Sequence, residues 1–96
     1  MAIRSFRSKS TELFFKQGQI PKRAGWQAQA RVAARKLDLI HYADRLDDLA
    51  SPPGNRLEAL HGKLAGFHSI RVNDQWRVVF IWNDRGATDV DIVDYH

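Results

Sequence analysis

The chain has 96 residues, 44% of them hydrophobic, and its 15 Lys and Arg against 11 Asp and Glu give a net charge of +4. That length predicts one domain, 1–96, with a modest core and a surface cleft rather than a deep pocket enclosing a cofactor, because a chain this short buries only roughly 60% of its unfolded surface. There is no cysteine, which removes disulfides, thiolate zinc sites and cysteine nucleophiles and points to a reducing cytoplasm.

No apolar run reaches membrane-spanning length, so no membrane association is expected. The opening Met1–Arg7 lacks the apolar stretch of a secretion signal. Charge is distributed unevenly. Residues 83–96 hold Asp84, Asp89, Asp91 and Asp94 against Arg85 alone and carry −3, leaving +7 on residues 1–82. A basic body fits an anionic partner such as nucleic acid, and fits equally a merely basic, soluble surface.

In chain order, Ala2–Phe6 reads as a short edge strand. Ser8-Lys9-Ser10-Thr11 reads as a cap, Thr11–Lys16 as a short helix and Gly18 as its stop. Pro21 is expected to open the next helical element. There Trp26, Ala30, Ala33, Leu37 and Ile40 recur at spacings of four and three and define one apolar face. Arg31 and Arg35 sit one turn apart on the solvated side. Asp44–Leu49 is expected to continue as a turn of helix. Ser51-Pro52-Pro53-Gly54-Asn55 then separates a helical half from a strand-rich half.

The second half changes period. Phe67–Val72 reads as a strand with His68, Ile70 and Val72 on one face. Asn73-Asp74 reads as a two-residue hairpin turn, followed by a strand in which Trp76, Val78, Phe80 and Trp82 alternate with Gln75, Arg77, Val79 and Ile81. Asn83-Asp84-Arg85-Gly86 is a second turn and Thr88–Val93 the last strand, giving a three-stranded antiparallel meander. Helices followed by a meander predict an α+β fold, with N-terminal helices packed on one face of a small, mainly antiparallel twisted sheet. The tryptophans belong to the core, and Arg77 is placed in mid-strand on the open face.

Asp94-Tyr95-His96 directly follows the last strand. Metal-free cleavage of RNA requires a base to deprotonate the 2′-hydroxyl, an acid to protonate the leaving 5′-oxygen, and a cation for the phosphorane. Histidine supplies acid or base near neutrality. Aspartate orients it, tyrosine stacks on a base or donates a hydrogen bond, and Arg77 offers a planar fork to phosphate oxygens. The competing reading is a frayed terminus. Glu58, His61 and Lys63 lie in the stretch leading into the meander, within reach of the same cleft; the competing reading is a solvated loop. His41, His61, His68 and His96 show no paired-ligand spacing, so no metal is expected. There is no phosphate-cradling glycine loop, so no nucleotide cofactor is expected either.

These residues fall into a pattern. Pro52-Pro53-Gly54-Asn55-Arg56-Leu57-Glu58-Ala59-Leu60, then Gly62, Ala65-Gly66, His68 through Arg77, and Val90 through His96 resemble the HigB toxins of HigBA toxin–antitoxin systems, within the RelE superfamily. The resemblance is strongest over residues 51–96. It implies a RelE-like, microbial-ribonuclease-like fold and endonucleolytic cleavage of mRNA in the ribosomal A site. It also implies neutralisation by a helix-turn-helix antitoxin of the HigA type, through which the pair binds operator DNA. Arg77, Asp94, Tyr95 and His96 fall on active-site positions of the family. Glu58 stands where some relatives have histidine, and His61 where lysine is frequent.

The expected site therefore comprises Arg77, Asp94, Tyr95, His96 and His61 as catalytic residues, with Glu58, Lys63, Arg31 and Arg35 contacting substrate or ribosome. His96 acts as acid or base beside Asp94, Arg77 stabilises the phosphorane, Tyr95 positions the nucleotide, and His61 or Lys63 adds positive charge. Two other readings remain open at this level: a non-catalytic module that blocks the ribosome by occupancy, and an antitoxin-bound corepressor.

Overall fold

The first helix begins where a side chain can replace a missing helical partner. In the computed structural model, which describes residues 2–95, Ser8 is extended and its Oγ accepts the Thr11 N–H at 3.3 Å, opening α1 at Lys9–Gln17. Gly18 closes it by donating to the Phe14 carbonyl at 2.9 Å. The same cap anchors the helix to the sheet, because Ser8 and Thr11 hydroxyls both donate to Asp91 Oδ1, at 3.0 and 2.8 Å. The helix expected at Thr11–Lys16 is thus slightly longer at both ends.

Pro21 opens a loop rather than a helix. Its carbonyl accepts from Ala24 and from the Gln27 side chain, and helical structure starts only with a 3-10 turn at Gln27–Gln29 that leads into α2, Ala30–Tyr42. The predicted apolar stripe is correct: Trp26, Ala33, Leu37 and Ile40 are buried together, with Ala30 partly buried beside them. The helix does not continue into Asp44–Leu49. Ala43 is extended, and the Asp48 carboxylate accepts the N–H groups of Asp44 and Arg45, both at 3.0 Å, to start a separate 3-10 turn at Leu46–Ala50.

The sheet has four strands in the order β1 (Glu58–Ala59), β2 (His68–Arg71), β3 (Trp76–Asn83) and β4 (Gly86–Asp94), all antiparallel. The meander is as expected, and β1 adds a fourth strand. The β2–β3 connection is wider than two residues. Asn73 Oδ1 accepts the N–H groups of Gln75 and Trp76, at 2.9 and 2.7 Å, and its side chain fills a four-residue link, 72–75. The β3–β4 turn is tight, with Asn83 paired to Gly86.

Register shifts between Val79 and Ile81, where β4 carries an extra residue, a bulge in which Asp89 takes φ 53°. The expected N-terminal edge strand lies parallel to β4. It is joined by bridges at Ile3–Ala87 and Phe6–Val90 and by backbone bonds of Ala2, Arg4, Ser5 and Arg7 to Ala87 and Val90.

The core sits between α1, α2 and one sheet face. Phe14, Trp26, Leu37 and Ile40 meet Ile70, Val72, Val78, Phe80, Val90 and Ile92, with Trp76 and Trp82 packed at the margin. Burying each large apolar side chain contributes roughly 1.5–3 kcal/mol, so this layer dominates stability. Period two then places Ser69, Arg77 and Val79 on the opposite face. That face is not open at Arg77, which is only 9% exposed. The turn Pro53–Asn55 packs beside β2 and brings the Arg56 carbonyl onto the guanidinium.

Candidate active site

Arg77 is the centre of the site, and two separate segments hold it. Its Nε donates to Ser69 Oγ, the diagonal neighbour in β2, at 2.7 Å, and its Nη2 donates to the Arg56 carbonyl at 2.5 Å. Arg56 takes φ 47°, ψ 56° at the end of the 3-10 turn Pro53–Asn55, and that left-handed conformation turns its carbonyl toward β3. Nη1 has no hydrogen-bond partner among the described residues. Burial pulls the Arg77 pKa down, Glu58 and Tyr95 push it up, and Arg71 and Arg56 pull it down. A guanidinium stays charged through such changes.

Glu58 Oε1 lies 4.0 Å from Arg77 Nη2, with the carboxylate side chain 50% exposed. A pair this open is well screened by water, so Glu58 shields the guanidinium only weakly. Arg71 pairs with Arg77 directly across the β2–β3 ladder and is itself engaged by Asp74. Like charges placed directly opposite one another oppose folding. Arg71 and Arg56 both lie close enough to act on the Arg77 charge. The sheet face that carries Arg77 can hold a polyanion.

The C-terminal group divides between the two faces. Val93 pairs with Arg77 and Asp94 with Trp76. Strand alternation therefore carries Asp94 to the helix side and brings Tyr95 to the Arg77 side. Tyr95 is half-buried, its N–H donates to the Gln75 carbonyl at 2.9 Å, and it lies close enough to act on the Arg77 charge. Asp94 Oδ2 accepts from the Gln75 amide at 2.9 Å. His96 lies outside the described residues.

The other expected residues are spread more widely. His61 and Lys63 are exposed in the turn after β1, where His61 precedes the 3-10 turn Gly62–Leu64. Arg31 and Arg35 are exposed on α2, on the far side of the sheet from Arg77. A groove of about 370 Å³ is lined by Arg35, Leu39, Tyr42 and Leu49, and the Leu49 carbonyl also accepts from Asn55, the neighbour of Arg56. Among the described residues, no three of His, Asp and Glu come together to hold a metal.

The sequence reading missed Ser69, Asn55, Arg56 and Arg71. Hairpin register places Arg71 opposite Arg77 once the width of the 72–75 link is known. Nothing in the sequence announced the left-handed Arg56.

The family described as RelE-like toxin of type II toxin-antitoxin system HigB matches residues 4–96. The chain belongs to this HigB-like toxin family. Its sequence is 52% identical over 50 residues to Toxin HigB-1 of Vibrio cholerae serotype O1, covering 52% of this chain and 53% of that protein. It is 48% identical over 60 residues to an uncharacterised protein of Haemophilus influenzae, covering 62% and 59%. The chain thus spans between half and two thirds of the curated relatives it matches.

Two solved structures share the fold. One is a YoeB–YefM complex from Staphylococcus aureus, with TM-score 0.54 and 17% identity over 100% of this chain and 99% of that one. The other is a YoeB/ParE toxin from Agrobacterium tumefaciens, with TM-score 0.54 and 19% identity over the whole of both chains. The α+β, RelE-like architecture expected of this HigB-like toxin is the one observed. No helix among the described residues is long and apolar enough to cross a membrane.

Proposed function

We propose that this HigB-like toxin is an endoribonuclease that cleaves mRNA in the ribosomal A site, stops translation, and is held inactive by a HigA-type helix-turn-helix antitoxin. The pair would bind operator DNA through the antitoxin. The observation that carries the reading is the Arg71–Arg77 pair, with Arg56 beside it and one half-exposed carboxylate at 4.0 Å. A fold that spends two cross-strand arginines on the face away from its core gains from them when an anion arrives.

In the proposed reaction the 2′-hydroxyl oxygen bonds to phosphorus as its proton is taken by a base. The bond from phosphorus to the 5′-oxygen breaks as an acid delivers a proton there. Arg77 stabilises the phosphorane, Tyr95 stacks on or bonds to the nucleotide, and His96 acts as acid or base. Glu58 stands beside the guanidinium as a second group able to carry a proton. His61 and Lys63 add positive charge to the approach, and Arg31 and Arg35 contact the ribosome. The ribosome supplies part of the alignment, so free RNA is a poor substrate.

The test is primer extension on mRNA after induction, with analysis of the new ends. Discrete 5′ ends within codons, absent when Arg77→Ala is induced, are expected, with a 2′,3′-cyclic phosphate or 3′-phosphate on the upstream product. A 3′-hydroxyl would point to activated water and sink the 2′-hydroxyl mechanism. Translational arrest without new ends would replace cleavage by occupancy.

A further inference from the structure

Pro52-Pro53-Gly54-Asn55 contributes no acid, base or phosphate ligand to the reaction above, yet it contains a fully buried amide. Asn55 is 0% exposed. Its Oδ1 accepts from Lys36 Nζ on α2, and its Nδ2 donates to the carbonyls of Leu49 and Ser51, both at 3.2 Å. Its own N–H donates to the Pro52 carbonyl at 2.9 Å. These bonds pin the segment at both ends of the turn and fix the residue that follows. Arg56 is held at φ 47°, a conformation that L-residues adopt at a cost and keep only when their surroundings enforce it. The result is a carbonyl aimed at Arg77 Nη2. From β2, Ser69, also 0% exposed, receives Nε.

Both tethers are neutral oxygen acceptors. A buried carboxylate in either place would orient the guanidinium equally well but would cancel its charge. A hydroxyl and a carbonyl orient it and leave the charge for a ligand. They occupy Nε and one side of Nη2 and leave Nη1 without a hydrogen-bond partner among the described residues.

We propose that Ser69 and Asn55 are positioning residues for Arg77. Ser69 acts directly, and Asn55 acts through the carbonyl of Arg56. Together they present an oriented, uncancelled guanidinium to the scissile phosphate. The proposal rests on the reading of Arg77 as phosphate ligand, and its test separates the two.

Ser69→Thr and Ser69→Val add the same bulk to the toxin and differ only in the hydroxyl. The Nε–H resonance of Arg77, assigned by its loss in Arg77→Lys, reports the tether without reference to activity. Single-turnover cleavage on saturating mRNA-programmed ribosomes reports its consequence, and ribosome affinity is measured alongside. Ser69→Thr is expected to keep the resonance and to cleave within about threefold of the parent. Ser69→Val is expected to shift or broaden the resonance and to cleave about 10–100-fold more slowly, with ribosome affinity unchanged, as a misaimed catalytic group requires. Ser69→Ala, which adds no bulk, is expected to behave as Ser69→Val does and decides the matter if the larger variants do not fold. Asn55→Asp keeps the acceptor for Lys36 and loses both donors, and is expected to disturb the same resonance.

A resonance indifferent to Ser69→Val, Ser69→Ala and Asn55→Asp overturns the positioning role. So does equal cleavage by Ser69→Thr, Ser69→Val and Ser69→Ala when Arg77→Ala is inactive. If Arg77→Ala itself cleaves normally, the phosphate reading falls, while the resonance still decides whether the tethers hold.

Discussion

At the residue scale, Arg77 shows how one side chain can be legible in kind and not in setting. Alternation along Trp76–Trp82 was enough to put it on the face away from the helices. It did not reveal that Ser69 and Arg56 bury it, because the Arg56 contact depends on a turn more than twenty residues earlier in the chain. The consequence is a strict requirement for a planar fork. Lysine carries the charge as a point and cannot reach Ser69 Oγ and the Arg56 carbonyl together. Arg77→Lys is therefore expected to cleave about 10²–10³-fold more slowly, the loss typical of one transition-state donor, with ribosome affinity retained. Single-turnover rates measure it, and near-parental cleavage would show that charge alone suffices. His96→Ala is expected to abolish toxicity with an unchanged urea midpoint. Full toxicity, or loss only through unfolding, would remove the terminal histidine from the proposed chemistry.

At the element scale, periodic pattern found what was periodic. The stripe Trp26, Ala33, Leu37, Ile40 and the alternation in β3 come from one repeated physical demand, an apolar face against a core. The elements that escaped have no period to show. β1 is two residues long, the turn Leu46–Ala50 depends on the Asp48 carboxylate, and the 72–75 link on the Asn73 side chain.

The parallel docking of residues 2–7 on β4 was visible only as a short edge strand. Its tightest point is Gly86, where φ is 127° and a Cβ would stand 2.1 Å from the Ala2 carbonyl oxygen. Gly86→Ala is thus expected to force the N-terminal segment away from β4 and to strain the turn. The cost is at least about 2 kcal/mol, within the range for an enforced unfavourable backbone. A fall in urea midpoint would register it, with faster amide exchange at Arg4 and Arg7, the donors to Ala87 and Val90. Unchanged exchange there would mean that the two segments are not coupled.

At the scale of the whole molecule, the sequence's charge division takes on two meanings. Part of the acidic segment 83–96 serves the fold: Asp91 receives the α1 cap, and Asp89 sits in the β4 bulge. The basic excess divides between the sheet layer, with Arg56, Arg71 and Arg77, and the helix layer, with Arg31 and Arg35. The proposed roles differ accordingly, cleavage on one side and ribosome attachment on the other. Arg31→Glu with Arg35→Glu tests that division. Each phosphate contact released contributes roughly 0.7–0.9 to the slope of log affinity against log salt. If both arginines meet rRNA phosphates, the double variant should bind ribosomes more weakly at low salt, with a slope shallower by about 1.5, and approach the parent at high salt. Because both side chains lie across the sheet from Arg77, cleavage by toxin already bound at saturation should keep its rate. Arg35 also lines the groove beside Leu39 and Tyr42, whereas Arg31 does not, so Arg31→Glu alone should give about half the change in slope. Identical salt series for parent and double variant would take α2 out of the ribosome contact. A lowered rate at saturation would show that the two faces are not independent.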